Sequence, residues 1–233
     1  MPILKDYFSA FAYILFPDNC LACGGVIEQG EKHICTVCRV SFPRTNFHLD
    51  KENMLAQKFW GRVKVEHAFA YLFFRKQSNV QSMLHYLKYK NAPEIGQIIG
   101  SWYGQELLDN DFYKNFDVIV PVPLHPKKFK SRGYNQSAYF GRGISEVWKI
   151  PQLEQGLQKV AHTESQTKKS REERYQNIKT GFTVPNPKEI EGKNVLVVDD
   201  VVTTGATLEA CISLLLENGA KTVSVAAIAV TQS

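Results

Sequence analysis

The chain has 233 residues, of which 44% are hydrophobic and 22% are charged, and its formal net charge is +5 at pH 7. A chain of this length has room for one large domain, or for one domain with a small additional module, and the sequence shows no internal repeat and no low-complexity tract. The mildly basic charge favours an anionic partner such as a phosphate compound or a nucleic acid, without identifying which.

The first segment, MPILKDYFSAFAYILFPD, has apolar residues at helical spacing. Asp6 interrupts it, no basic region precedes it and no small-residue cleavage site follows, so it does not match a signal peptide. We expect an amphipathic helix that docks on the rest of the protein. A membrane-surface anchor is the alternative, weakened because Lys5 is the only basic residue. No other stretch is long and apolar enough to span a membrane. We therefore predict a cytoplasmic protein without membrane insertion.

Four cysteines follow in two CxxC pairs. Cys20 and Cys23 form the first pair, and Cys35 and Cys38 form the second. Each CxxC turn supplies two soft ligands, and four thiolates complete the tetrahedral coordination of zinc. Disulfides or separate buried cysteines are the alternatives, and disulfides do not suit a cytoplasmic protein. The spacing therefore predicts a structural Zn²⁺ site without an open position for catalysis. Cys211, alone on an apolar helix face, is expected in the core.

Strand and helix patterns alternate along the rest of the chain. The predicted elements are a strand at 65–75, a helix at 78–90 with Ser78 as N-cap, a helix at 94–110, a strand at 117–123, a helix at 134–148, a short strand at 153–160, a strand at 194–199, a helix at 205–218 and a strand at 222–230. Such alternation predicts an α/β fold with a parallel sheet flanked by helices. We expect residues 1–60 to form an N-terminal helix and zinc module, and residues 61–233 to form the α/β domain.

Two adjacent carboxylates, Asp199 and Asp200, end one of these strands in the sequence VLVVDDVVTTGAT. Ligands of open parallel sheets bind beyond the carboxyl ends of the strands. Residues 201–207 lead into a helix N-terminus, where backbone N–H groups and the helix dipole favour an anion. The segment therefore offers acceptors for sugar hydroxyls or a metal beside donors for a phosphate. It matches neither the nucleoside-triphosphate P-loop nor the dinucleotide fingerprint. An aspartate pair that merely caps a surface helix is the alternative.

A strand closed by prolines, DVIVPVP at 117–123, precedes a basic stretch at 125–132. Proline lacks the N–H donor that a central strand needs, so the strand is expected to stop there. The basic residues of this stretch are Lys127, Lys128, Lys130 and Arg132. They are either cations for a polyanionic ligand or part of a solvated loop. Asn135 or Gln136, at the start of the next helix, either caps that helix or contacts a ligand.

The VLVVDDVVTTGAT segment resembles the 5-phosphoribosyl 1-diphosphate (PRPP) motif of type I phosphoribosyltransferases. The resemblance implies that Asp199 and Asp200 bind the ribose hydroxyls and assist catalysis, with Mg²⁺ accompanying PRPP. The 5-phosphate would be held by the loop residues Thr203, Thr204, Gly205, Ala206 and Thr207. In this family the loop after the strand at 117–123 cradles pyrophosphate. That role would fall to Val122, Pro123 and Leu124, with Arg132 nearby.

The order of several segments is similar to that of the ComF proteins, which are associated with DNA uptake in competent bacteria. These segments are LFPDNCLAC, LKYK, DVIVPVPLHPKKFKSRGYNQS, TESQTKKSREERYQN and VLVVDDVVTTGAT. The resemblance implies that residues 161–180 form a hood that closes over the substrate. Its candidate contact residues are Ser165, Gln166, Lys168, Arg171, Arg174 and Asn177. A plain surface loop is the alternative for this segment.

Two functions remain open from the sequence. The chain is either an active phosphoribosyltransferase with an unknown nucleobase or amine acceptor, or a PRPP-binding scaffold that serves DNA uptake. In the second case its partners would include single-stranded DNA or other DNA-uptake proteins. Cations at 127–132 and in the hood would contact phosphates, and Tyr134, Tyr139 and Tyr175 would stack bases.

Overall fold

A computed structural model describes residues 18–160 and 181–232. The expected amphipathic helix at the start of the chain lies outside the described residues, and so do the hood candidates Gln166, Lys168, Arg171 and Arg174. Within the described ranges, none of the helices combines the length and the apolar character needed to cross a membrane.

A four-stranded parallel sheet forms the centre of the structure. Its strands are β1 (Ala68–Phe74), β2 (Val118–Pro121), β5 (Asn194–Val202) and β6 (Thr222–Thr231). The spatial order is β1-β6-β5-β2, and every neighbouring pair is parallel. The predicted α/β fold class is confirmed. A separate antiparallel pair is formed by β3 (Gln158–Lys159) and β4 (Phe182–Thr183).

Helices cover both faces of this sheet. They are α1 (Thr36–Ser41), α2 (Met54–Gln57), α3 (Asn79–Tyr89), α4 (Glu94–Leu108), α5 (Pro126–Arg132), α6 (Gln136–Trp148) and α7 (Ala206–Glu217). Alternate strand residues point to opposite faces. Leu196 and Val198 of β5 pack with α3, α4 and α6, whereas Val195 and Val197 pack with α2 and α7.

Two glycines allow α4 and α6 to approach each other closely. A Cβ atom on Gly100 would overlap the carbonyl oxygen of Phe140, and one on Gly143 would overlap that of Gln97. Because these residues have no side chain, the two helices pack backbone against backbone. This contact fixes the position of α6, whose first turn lies beside the end of β5.

The cysteine-bearing segment shares a hydrophobic core with the sheet. Cys20, Cys38 and Phe42 belong to the same buried cluster as Phe69 of β1 and Leu84 of α3. The boundary at residue 60 between a zinc module and the α/β domain stays a prediction.

Most predicted elements are present, and Ser78 caps α3 by accepting a hydrogen bond from the N–H of Gln81. The alternative of a solvated loop at 125–132 is wrong, because Pro126 begins helix α5 with the side chain of His125 as its N-cap. The strand expected at 153–160 is reduced to two residues outside the main sheet. Pro121 is tolerated within β2 because that strand lies at the edge of the main sheet.

Candidate functional site

Asp199 and Asp200, here called the acid pair, lie near the carboxyl end of β5 and are half-buried. The Asp199 Oδ1 atom accepts hydrogen bonds from the Ser137 hydroxyl at 3.0 Å and from the Asp200 N–H at 2.8 Å. Asp200 Oδ2 forms an ion pair with Lys88 Nζ at 3.0 Å. The two carboxylates thus have different partners, which partly offset their mutual repulsion.

Ionising both carboxylates of the acid pair is unfavourable, and this is expressed in the pKa of Asp199. Burial, followed by the negative charge of Asp200, raises the pKa of Asp199 to about 7. The hydrogen bonds from the Asp200 N–H and the Ser137 hydroxyl oppose this rise, and so does the charge of Lys88. Desolvation and a like charge both disfavour a carboxylate. A cation or a set of hydroxyl donors at this position would favour the ionised form.

The loop after the acid pair turns directly into α7. Gly205 has φ of 82° and is the N-cap residue of that helix, a left-handed conformation that glycine adopts without strain. The Thr204 hydroxyl accepts a hydrogen bond from the Ala206 N–H at 3.4 Å. Residues 201–208 and Asp199 line a small hollow of about 40 Å³. The five predicted phosphate-loop residues, 203–207, are therefore brought together beside Asp199.

This loop rests on the segment that follows α2. A Cβ atom on Gly205 would lie 3.3 Å from Cε1 of Phe59, which is buried. Arg62 of the same segment lies 3.6 Å from the Glu209 carboxylate of α7. The loop conformation is thus supported by residues far away in the sequence.

The proline turn is fixed by Asn135. The Val122 N–H donates to the Val198 carbonyl at 2.9 Å, and the Asn135 side-chain amide donates to the Val122 carbonyl at 3.0 Å. Asn135 Oδ1 also accepts from the Ser137 N–H at 3.1 Å. Asn135 is therefore the cap of α6 and a support for the turn. Gln136 is buried, and its Nε2 atom has no partner among the described residues.

Two hollows lie on opposite sides of α5. The first, here called the Tyr89 hollow, measures about 400 Å³ and is lined by Lys88, Tyr89, Asn91, Lys128, Ser131 and Arg132. The second, here called the Leu124 hollow, measures about 470 Å³; its lining includes Pro123, Leu124, Phe129 and Lys130. The residues predicted to hold pyrophosphate are thus divided, with Pro123 and Leu124 in one hollow and Arg132 in the other.

The sequence missed two partners of the acid pair, Lys88 and Ser137. Lys88 lies in the LKYK segment, and Ser137 is the second residue of α6. Both contacts join positions far apart in the chain, so no local pattern predicts them. Tyr134 does not offer the stacking face expected of it, because the residue is only 7% exposed and its hydroxyl donates to the Leu87 carbonyl.

The four paired cysteines form one cluster, here called the cysteine cluster. Their sulphur atoms all lie within 4.8 Å of one another, and none is in a disulfide. The Cys23 and Cys35 sulphurs are 3.8 Å apart, which matches the edge of about 3.8 Å in a tetrahedron with metal–sulphur bonds of about 2.3 Å. The cluster can therefore hold a metal ion. Cys211 is buried in α7, as expected.

Backbone and side-chain N–H groups point at these sulphurs. Gly25 N donates to Cys23, Cys35 N to Cys20 and Cys38 N to Cys35, at 3.3–3.4 Å. The Asn79 side chain in α3 lies 3.6 Å from the Cys38 sulphur. Such hydrogen bonds suit sulphurs that carry negative charge, as metal-bound thiolates do.

The chain resembles several known proteins. Residues 144–232 match the model of the phosphoribosyl transferase domain. Competence protein F of Haemophilus influenzae is 36% identical over 110 residues, which are 47% of this chain and 48% of that protein. DNA utilization protein YhgH of Escherichia coli is 27% identical over 225 residues, which are 90% of this chain and 95% of the relative. Competence protein ComFC of Streptococcus pneumoniae is 31% identical over 134 residues, 55% of this chain and 53% of that protein. The matched residues thus span about half of each competence protein and nearly all of YhgH.

Among solved structures, the glutamine PRPP amidotransferase from B. subtilis aligns with a TM-score of 0.45 and 22% identity, over 63% of this chain and 30% of that one. The parallel sheet and the matched domain define a protein of phosphoribosyltransferase fold. The competence-protein and YhgH relatives, together with the cysteine cluster, support the resemblance to the ComF family within this class.

Proposed function

We propose that this protein binds PRPP together with Mg²⁺ and serves DNA uptake or utilisation. The observation that carries the proposal is the acid pair, which lies beside a glycine-containing loop at the carboxyl edge of the sheet. Acceptors for two sugar hydroxyls and donors for a phosphate therefore stand side by side. The link to DNA comes from the names of the relatives, competence protein F and DNA utilization protein YhgH.

In this proposal the acid pair binds the ribose 2- and 3-hydroxyls. Residues 203–207 hold the 5-phosphate with backbone N–H groups and threonine hydroxyls, because the N-terminus of a helix favours an anion. Phosphate oxygens and water molecules would supply most of the ligands of Mg²⁺, as is usual for this ion. Its charge would favour the ionised form of Asp199, whose pKa is otherwise raised to about 7.

The pyrophosphate is proposed to contact the turn at Val122, Pro123 and Leu124. Arg132 is a further candidate, although it lines the Tyr89 hollow rather than the hollow of Leu124. Gln166, Lys168, Arg171 and Arg174 remain proposed contacts of the hood. We also propose that the ion in the cysteine cluster is Zn²⁺ with a structural role, since four thiolates leave no open position. A cytoplasmic location is part of the proposal.

The alternative is an active phosphoribosyltransferase that releases pyrophosphate to an unknown nucleobase or amine. The acid pair would then stabilise the positive charge that develops on the ribose in the transition state. The same site serves both functions, so binding alone does not separate them. Single-stranded DNA and other uptake proteins are proposed partners in either case.

Calorimetry of PRPP binding in the presence of Mg²⁺ tests the proposal. We expect binding by the wild type and its loss in Asp199→Asn/Asp200→Asn, which keeps the size of both side chains. Absence of heat for the wild type at millimolar PRPP would refute it. A pyrophosphate-release assay with a panel of nucleobases and amines then tests the enzyme: release that depends on the acid pair supports catalysis, and binding without release supports a scaffold.

A further inference from the structure

The Tyr89 hollow lies beside the acid pair but is not part of the phosphate loop. Its walls are the last turn of α3 with Lys88 and Tyr89, the following Asn91, and the α5 residues Lys128, Ser131 and Arg132. Its volume of about 400 Å³ lies within the range of about 300–1,000 Å³ typical of pockets for small molecules.

The charged side chains that line this hollow are all positive. Three of its six lining residues are cations, and among the described residues only Lys88 of these three has a carboxylate partner. In the part of the chain that the structure describes, no carboxylate lies within ion-pair distance of Lys128 or Arg132. A cation in the last turn of a helix complements the helix dipole, which accounts for Lys88 and Arg132 but not for Lys128. The cluster of cations, with the Ser131 hydroxyl, suits a phosphate group.

An exposed aromatic ring lies next to these cations. The Tyr89 side chain is 67% exposed, and the guanidinium carbon of Arg132 lies 5.4 Å from the centre of its ring. The His85 ring lies 5.2 Å away on the same helix. Tyrosine rings and arginine guanidinium groups both stack on nucleobases. The amide of Asn91 at the rim adds a donor and an acceptor for the edge of a base.

We propose that the Tyr89 hollow binds one nucleotide unit, with the base on Tyr89 and the phosphate on Lys128, Ser131 and Arg132. Neither half of the ligand alone uses the whole hollow, since inorganic phosphate would leave the ring uncovered and a nucleoside would leave the cations without an anion. The size of the hollow limits the ligand to about one nucleotide, either free or at the end of a strand.

Lys88 connects this site with the acid pair, a step that rests on the proposed function. Its Nζ atom pairs with Asp200 while its side chain lines the hollow. A phosphate in the hollow would compete with Asp200 for this cation. Because the charge of Lys88 lowers the pKa of Asp199, weakening the pair would make the acid pair harder to ionise. A bound nucleotide therefore changes the affinity of the neighbouring PRPP site.

Calorimetric titration of the full chain with AMP tests the site, with inorganic phosphate and adenosine as separate probes. We expect AMP to bind more tightly than either. Tyr89→Ala and Lys128→Ala should each weaken AMP binding about tenfold, near the lower part of the range for base stacking. Tyr86→Ala and Lys130→Ala are the matched controls. Tyr86 is exposed on the same helix as Tyr89, Lys130 lines the Leu124 hollow, and neither change should alter the affinity.

The acid-pair variant separates this proposal from the proposed function. Asp199→Asn/Asp200→Asn should keep AMP binding while it loses PRPP. If AMP binding is lost in that variant but kept in Tyr89→Ala, AMP occupies the PRPP site and the nucleotide proposal is wrong. Absence of AMP binding in a wild type that binds PRPP also overturns it, as does an equal loss in all four single variants. A wild type that binds AMP but not PRPP would keep the nucleotide proposal and refute only the proposed function.

Discussion

The cysteine cluster and the acid pair each bring together side chains that repel one another when ionised. They differ in whether the side chains alone can complete the coordination of an ion. The cysteine cluster has four donors within 4.8 Å of one another, and three of them are buried. The acid pair has two half-buried carboxylates at the carboxyl end of β5. The first set can complete the coordination of an ion by itself, whereas the second leaves room for a ligand.

The difference predicts opposite effects on stability. A closed set of thiolates gains stability once its metal is bound, because the binding free energy becomes folding free energy. The acid pair costs stability at neutral pH, because its raised pKa means that the folded state resists ionisation. Residues that cost stability without a ligand are typical of binding sites. The contrast therefore supports the proposal of a structural metal site at the cysteine cluster and a ligand-binding site at the acid pair.

The largest expected effect is at the cysteine cluster. Cys38→Ser should abolish metal binding and lower the Tm by at least about 10 °C, because several kcal/mol of metal-binding energy are lost. Metal analysis and thermal melts measure both effects. Cys211→Ser is the matched control, since Cys211 is equally buried but lies outside the cluster. It should keep its metal and lose less stability. Equal loss in both variants would contradict a structural metal site.

Substitution in the acid pair should raise the Tm, whereas substitution in the cysteine cluster should lower it. The pKa of Asp199 rises from an unfolded value near 3.8 to about 7 on folding. Its contribution to stability is thus complete below about pH 3.8 and is lost as the pH rises through 7. Asp199→Asn removes this loss, so the variant should melt on the order of 5 °C higher than the wild type at pH 8.

This advantage of the Asp199 variant should shrink at pH 5. The exposed Asp109→Asn serves as control, because that residue lies at the end of α4, away from the acid pair. A lower Tm for Asp199→Asn at pH 8 would show that the carboxylate stabilises the fold, contrary to this account.

A smaller effect is expected at the loop glycine. Gly205→Ala should destabilise the protein by about 1–2 kcal/mol and weaken PRPP binding, because the residue has φ of 82° and a Cβ atom would press on Phe59. Gly61→Ala shares the positive φ, but no neighbour lies within 4 Å of its Cβ position. The difference between the two variants in denaturant melts isolates the contact with Phe59. Equal losses of stability would mean that this contact does not support the loop.

The smallest effect is expected at Ser137. Ser137→Ala removes the hydroxyl that donates to Asp199. Because this hydrogen bond favours the carboxylate, the substitution should raise the pKa of Asp199 further. The change should cost about 1 kcal/mol or less of binding energy for PRPP. Carboxyl-carbon NMR titration measures the pKa. Ser145→Ala is the control, because Ser145 lies on the same helix as Ser137 but its hydroxyl donates to the Ile150 carbonyl. A pKa unchanged by Ser137→Ala would contradict the assigned hydrogen bond.

The sequence predicts those features that depend on neighbouring residues. The alternation of apolar strands and helices, the N-cap at Ser78 and the spacing of the cysteines are local patterns, and the structure confirms most of the elements they predict. The sequence leaves a solvated loop open for the basic stretch at 125–132, whereas Pro126 begins helix α5 there. Proline is favoured in the first turn of a helix, and His125 supplies the cap.

What the sequence could not predict are contacts between distant segments. The ion pair of Lys88 with Asp200 depends on how α3 and β5 are arranged in space, and the packing of Phe59 against Gly205 depends on how the segment after α2 lies against the start of α7. The division of the basic residues between two hollows follows from the helical form of α5, which places Lys128 and Lys130 on different sides. These relations arise from tertiary packing, and the local patterns of the sequence do not contain them.

The most direct test of the central claim, that the acid pair binds a ribose phosphate with Mg²⁺, is to count the protons released on binding. Calorimetry of PRPP and Mg²⁺ near pH 7, in buffers of different ionisation enthalpy, gives this number. Because the pKa of Asp199 is about 7 and a bound cation favours its ionised form, we predict tighter binding at pH 8 than at pH 6. Proton release should exceed that of a control titration of PRPP with Mg²⁺ alone, and Asp199→Asn should abolish the excess. Binding without excess proton release and without dependence on Asp199 would contradict the account.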